Sequence, residues 1–290
     1  MINVTSTSPG WGDISLSPFG QNVEFFSATG QILDSWLENY TSTHAIWWVK
    51  LTSSIPAGSK QTIYMGFAPT STNLFNNVNN GEAPQLSSTY AEYDDGANVF
   101  NNYWNFAGTS LPSGWTYYNS IPTINNGLDF ASSDELIETT SAGYPITNIL
   151  ETDVSYPTGL GAAMGFGYVL NSSGGAYTFY SMWIEGGADY YSGITENLGS
   201  ANNFMTVNSG SNTQFDSTGQ GILSVVSTGS IAYGYSNYIA YSATSNVAPI
   251  GNYYIAIGSG AASGLKVQWL RVRAYPPNGV MPSVSFGSVS

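Results

Sequence analysis

Apolar and polar residues alternate in short bursts along this chain. Over the first 70 residues none of them follows the three-and-four spacing of an amphipathic helix. Ile2 and Val4 open the first burst, residues 22–26 (NVEFF) the second, and 32–38 resume the pattern after a turn at Ala28, Thr29 and Gly30. Residues 45–51 (AIWWVKL) and 61–67 (QTIYMGF) are rich in β-branched and aromatic side chains, and the IPAG turn at 55–58 separates them. This predicts a small antiparallel β unit ending near residue 70. Residues 70–90 read as a connection pinned by Leu74, Phe75 and Val78. In 81–106 Pro84 interrupts regular pairing. A turn at Asp94, Asp95 and Gly96 then launches Phe100, Tyr103, Trp104 and Phe106, the expected first strand of a second domain.

Further strands are expected at 114–118, 127–131, 135–139, 146–155, 162–170, 176–185, 203–207, 222–227, 230–241, 252–258 and 265–275, separated by Gly, Ser and Asn turns. Many short strands at this spacing predict a sandwich or jelly roll. The expected class is therefore all-β, with a small β domain over 1–80, a sandwich over 81–277 and a tail over 278–290.

Composition narrows the function. Only 8% of the 290 residues are charged, against about 25% in an ordinary soluble domain. Five cations face eighteen acids, a formal charge of −13. That excludes nucleic acid, which is gripped by Lys and Arg on phosphates, and an anionic membrane surface. No apolar run is long enough to span a bilayer, so no direct membrane insertion is expected. With no cysteine, packing and hydrogen bonds must supply the stability. Sparse ion pairing suits an acidic habitat, since little native structure would then depend on ionised carboxylates. Ile2 and Val4 lie so near Met1 that the chain is expected to be a piece of something longer.

Residues 22–26 (NVEFF), 35–38 (SWLE), 45–51, 55–58 and 61–67 together resemble the domain of unknown function 2341, a family of microbial and especially archaeal surface proteins. Residues 81–108, 111–115 (LPSGW) and 267–288 (VQWLRVRAYPPNGVMPSVSFGS) are similar to the concanavalin A-like lectin/glucanase sandwich. The resemblance implies a jelly-roll sandwich whose first and last strands lie side by side. It also implies display outside a cell or on a virion, without one fixed activity.

Several constellations can carry chemistry. Glu151, Thr152 and Asp153 resemble the Glu-x-Asp-x-x-Glu strand of retaining glucanases on this sandwich, which need two carboxyls about 5 Å apart. Tyr156 stands where the second Glu belongs, and the plain alternative is two strand-edge acids facing solvent. Alternation puts Tyr177, Trp183 and Glu185 on one face, a sugar grip or else a rim acid above core aromatics. In 231–241 it puts Tyr233, Tyr235, Asn237 and Tyr241 opposite Ala232, Gly234, Ser236 and Ala240. That stripe is either a glycan platform or packed core. Asp94 and Asp95 are candidate calcium ligands, or a plain turn, or partners for Arg271 and Arg273. His44, the single histidine, reads as a solvated loop residue, which leaves no zinc site and no Ser-His-Asp set. Sequons at Asn3, Asn39 and Asn171 permit glycosylation without indicating it.

The expected function is a non-enzymatic extracellular surface protein with no required cofactor. Its partner is carbohydrate, as in adhesion, or copies of itself, as in a surface filament, sheath or virion. The alternative is a glycoside hydrolase or polysaccharide lyase on the same sandwich.

Overall fold

The structure, a computed structural model, describes residues 1–131, 135–155, 163–169, 179–185, 191–197, 204–211, 220–244, 250–261 and 264–289. The chain divides into two compact units. One is Met1–Tyr103 with Pro276–Ser290, the other Trp104–Tyr275. The division thus falls between Tyr103 and Trp104 rather than at 80/81, and residues 278–290 go with the first unit.

In the first unit, β1 (Ile2–Thr5), β2 (Val23–Ser27), β3 (Ser35–Tyr40), β4 (His44–Val49), β5 (Ile63–Phe67) and β6 (Asn80–Glu82) precede a single helical turn α1 (Gly96–Val99) and β7 (Asn102–Trp104). One sheet has the order β1, β4, β3, β6, and β2 pairs with β5 in a second. Alternation works as physics requires: β2 buries Val23, Phe25 and Ser27 and leaves Glu24 and Phe26 half-covered. Phe25, Leu37, Trp47 and Val4 meet in the core. The stretch 70–90 holds a strand after all, β6, laid parallel to β3. A Cβ on Gly81 within it would collide with Tyr93 O and lie 2.5 Å from Asp95 Cβ, so only glycine lets the backbones approach this closely. The strand expected to follow the Asp94–Gly96 turn is short, Asn102–Trp104, because the four residues after Asp95 wind into α1 first.

The second unit is built from β8 (Trp115–Asn119), β9 (Thr123–Ile124), β10 (Leu128–Phe130), β11 (Glu135–Thr139), β12 (Tyr144–Pro145), β13 (Asn148–Ser155), β14 (Ala163–Val169), β15 (Phe179–Glu185), β16 (Tyr191–Asn197), β17 (Phe204–Ser211), β18 (Gln220–Ser227), β19 (Ala232–Ser236), β20 (Ile239–Thr244), β21 (Asn252–Ala261) and β22 (Leu265–Ala274). They form two eight-stranded sheets. The first runs β20, β19, β18, β13, β22, β10, β9, and β7, the strand leading into this unit, also pairs with β22. The second runs β17, β16, β15, β14, β21, β11, β8, with β12 on β21. Leu150, Val154, Leu223, Val225, Leu270 and Val272 from the first sheet pack on Ile137, Phe166, Tyr168, Ile255 and Ile257 from the second. The class is all-β and the fold a two-sheet jelly-roll sandwich.

Two local departures from simple alternation shape the first sheet. Between β13 and β22 the register shifts at Asp153 and Val154, whose partners are Trp269 and Val267. Gln268 is thus an extra residue, a β-bulge. Strict period-2 counting would place Leu265 and Val267 on the same face as Arg271 and Arg273. The bulge instead lets Leu265, Val267, Leu270 and Val272 share the core, and turns Trp269, Arg271 and Arg273 to the outer face. The second departure is in 231–241, which is not one strand but a hairpin. Asn237 and Tyr238 both adopt positive φ, +46° and +67°, and β20 returns along β19.

Candidate functional site

The outer face of the first sheet is organised around Glu151. Registers set Glu151 opposite Ser224 on one side and Arg271 on the other, in the middle of the sheet. Its carboxylate is fully buried and accepts four hydrogen bonds. Arg273 donates a fork, Nε to Oε2 at 2.9 Å and Nη2 to Oε1 at 2.8 Å. Arg271 Nε donates to Oε2 at 2.7 Å, and Ser224 Oγ to Oε1 at 3.1 Å. Burial alone would raise the Glu151 pKa. The charges of Arg273 and then Arg271, with their hydrogen bonds, outweigh it and hold the carboxyl at about 2. The acid is thus ionised at neutral and mildly acidic pH.

The pair of strand-edge acids expected at Glu151 and Asp153 is corrected on both counts. β13 is a central strand, and both residues are buried. Arg271 and Arg273 pair with Glu151 rather than with Asp94 or Asp95, because the strand register puts Glu151 directly across from Arg271. Sequence reasoning missed this network, although a signal existed: three of the five cations lie in one strand. The third, Lys266, stands 3.8 Å from Asp129 on β10.

Around the ion pairs lies an aromatic rim. Arg271 Cζ sits 4.5 Å from the Trp269 ring centroid, a cation–π contact. Arg271 Nη2 donates to Tyr238 Oη at 2.9 Å, which holds a tyrosine in the left-handed region that non-glycine residues seldom adopt. Removing that acceptor with Tyr238→Phe is expected to cost about 1.5–3 kcal/mol, since it serves a buried cation. Urea titration of the variant checks this, and an unchanged midpoint would show that the contact contributes nothing.

The tyrosine stripe is placed as follows. Ala232, Gly234 and Ser236 turn to the core, and Tyr233 and Tyr235 to the outer face, each half-buried. Their ring centroids are 6.3 Å apart and tilted by 41°. Burial, and next a hydrogen bond with Tyr275, push the Tyr235 hydroxyl pKa up, so it stays protonated. Asn237 is spent on structure. Its Oδ1 accepts the Ile222 amide at 2.8 Å, and its own amide donates to Ile222 O at 2.8 Å. Tyr241 lies on the return strand β20 and not on β19, and its side chain is outside the described residues, as is Tyr177 altogether. Trp183 and Glu185 belong to β15, paired with Gly165 and Ala163 in the second sheet. They therefore do not join Tyr233 and Tyr235 on one sheet, and their side chains too lie outside the described residues.

In the first unit the two candidate calcium ligands do different things. Asp94 Oδ1 accepts Trp36 Nε1 at 2.9 Å and the Gly96 amide at 3.1 Å. Asp95 is buried, and neither of its carboxyl oxygens makes a well-formed hydrogen bond. Burial first, then the charges of Asp34 and Asp94, push its pKa up to about 8, against a weaker pull from Asn98 and Lys50. Among the described residues, no group of three or more His, Cys, Asp or Glu side chains is arranged to hold a metal ion. His44 is not a loop residue: it opens β4 opposite Thr5, partly buried, and its Nδ1 lies 2.9 Å from Thr41 Oγ1. Among the described residues, no helix is long and apolar enough to cross a membrane.

Comparison with known proteins places two parts of the chain. Residues 19–118 match the domain of unknown function DUF2341, which is therefore present here. The match extends well past the motifs at 22–67 that carried the resemblance, as far as β8. Uncharacterized protein 562 of Sulfolobus islandicus rod-shaped virus 1 is 29% identical over 337 aligned residues, covering 97% of this chain. The chain spans 58% of the length of that relative. Among solved structures, the endo-beta-1,3-glucanase of Pyrococcus furiosus superposes with a TM-score of 0.50 at 11% identity, over 60% of this chain and 93% of that one. The catalytic domain of the endo-1,3-beta-glucanase (laminarinase) of Thermotoga petrophila RKU-1 gives 0.47 at 11% identity, over 60% and 96%. The shared feature is the concanavalin A-like sandwich fold.

Proposed function

We propose that this is a non-enzymatic surface protein whose sandwich recognises carbohydrate on the outer face that carries Tyr233 and Tyr235. One observation carries the non-enzymatic part: the Glu151 carboxylate is buried and saturated by two arginines and a serine. Retaining hydrolysis needs two carboxyls, one free to attack and one that carries a proton near neutral pH. An acid held at about 2 cannot donate that proton. To attack, it would have to abandon both arginines.

Half-buried tyrosines on an outer sheet face are suited to stacking on sugar rings, with hydroxyls for the sugar's own. That a virus encodes a relative supports a place on a virion or cell surface.

Two assays test the proposal. Incubation with a polysaccharide panel is expected to release no sugar. Release that vanished in Glu151→Gln or Glu185→Gln would overturn the non-enzymatic reading. On a glycan array, Tyr233→Ala and Tyr235→Ala are expected to weaken binding about tenfold each, the equivalent of ~1.4 kcal/mol. Binding unaffected by both would remove the proposed face.

A further inference from the structure

Residues 282–287 (PSVSFG) alternate as a strand does, outside any strand. Pro282, Val284 and Phe286 fall on one side and Ser283, Ser285 and Gly287 on the other, with Met281 and Val289 the apolar residues that flank this second side. After the turn at Pro277–Gly279, closed by Val280 N to Pro277 O, residues 282–289 belong to no strand and join no sheet among the described residues. Their apolar side chains face water: Val284 is 48% exposed, Phe286 41% and Val289 55%. A folded chain seldom leaves a strand-patterned apolar segment unpaired.

The same unit offers an edge to receive it. β5 pairs only with β2, so its other edge is open among the described residues. Ile63, Met65 and Phe67 of β5 are only partly buried against the core, and Tyr64 is 57% exposed. Two-stranded sheets are marginal and gain from a third strand. Both surfaces are uncharged: no Asp, Glu, Lys or Arg occurs in 61–78 or in 274–290. In a chain of net charge −13, such a patch is where two copies can meet without repulsion. A Cβ built on Gly10 would lie 2.7 Å from Phe67 and 3.6 Å from Val289, so residue 289 comes close to the end of its own chain's β5.

We propose that residues 282–289 of one copy add as a third strand to the open edge of β5 in a second copy. This is β-strand addition with main-chain bonds for affinity and Val284 and Phe286 for register. The donor and acceptor surfaces differ, so the contact is head-to-tail and propagates into a filament or ring. It is independent of the carbohydrate face.

The absence of cysteine makes the test clean. Tyr64→Cys and Ser285→Cys versions of the 290-residue chain, carrying tags of different size, are co-expressed and treated with a short bis-maleimide. The expected result is a cross-linked product of both tags, with ordered polymers in negative stain. The yield should fall at least tenfold when Val284 and Phe286 are both changed to Asp, and should be unchanged by Tyr235→Ala. A monomer with no mixed product would overturn the proposal. So would a mixed product that survives the two aspartates, or a double-cysteine chain that links only to itself.

Discussion

Replacing Glu151 by glutamine is expected to destabilise the sandwich by about 3–5 kcal/mol. The substitution keeps shape and volume but leaves two guanidinium groups sharing a neutral amide. Arg271 has no exposed surface, so water cannot compensate it. Ser224 loses a charged acceptor, and the fork from Arg273 loses one of its two oxygens to an NH2 group that also donates. The measurement is chemical denaturation at pH 7, read on the transition of the second unit. A control separates pair-breaking from loss of the pair. Changing Glu151, Arg271 and Arg273 together to apolar residues of like volume is expected to recover most of the loss, because the desolvation cost of all three charges disappears with them. A glutamine variant as stable as the parent would mean that the network contributes orientation and no net stability.

The second large effect is a stability maximum at acid pH. Asp95 has a folded pKa of about 8 against an ordinary 3.8, and burial holds Glu138 at about 7 against 4.5. Both bind their proton more tightly when folded. Their stabilisation is therefore fully present below about pH 4 and is lost as pH rises through 7 and 8, for a total on the order of a few kcal/mol. Glu82 and Glu24 are raised too, mainly by burial, and act with the same sign. Asp34, Asp94 and Lys50 are the charges facing Asp95. Glu151 opposes them, with stability present above 4.5 and lost only as pH falls toward 2. The thermal midpoint is thus expected to climb from pH 8 down to about pH 4 and to drop near pH 2. Asp95→Asn should flatten the alkaline limb, since a neutral amide has no proton to lose. A midpoint that falls between pH 5 and 3 would refute this account and the acid-habitat expectation with it.

Most of the strands were legible because local chemistry decides them. β4 and β5 carry β-branched and aromatic alternation bounded by a proline turn, and β11 runs over the residues expected for it. The shortest pieces were not legible. β6 has three residues, NGE, with no apolar pattern, and it forms because β3 offers it an edge. β16, over Tyr191–Asn197, has Ile194 as its one aliphatic residue and so shows no apolar alternation to mark it.

The hairpin at Asn237 and Tyr238 was half visible. Asn tolerates positive φ, but a tyrosine there is held by the arginine that its hydroxyl reaches, and that contact spans 33 residues. The candidate site divided in the same way. That one side of β19 is small and the other aromatic follows from alternation alone. Which side meets the core depends on what the second sheet presents, and only packing settles it.

The chain's own pattern and composition determined that it would be all-β, acidic and without disulfides. Those properties are sums over residues or follow from neighbours two positions apart. Tertiary structure decided what the Glu151 carboxylate does. A single extra residue, Gln268, turns two arginines away from the core, and the register of β13 against β22 sets them on Glu151. Those partners are about 120 residues away along the chain, which is why no local pattern could have announced a locked ion pair where a nucleophile was sought.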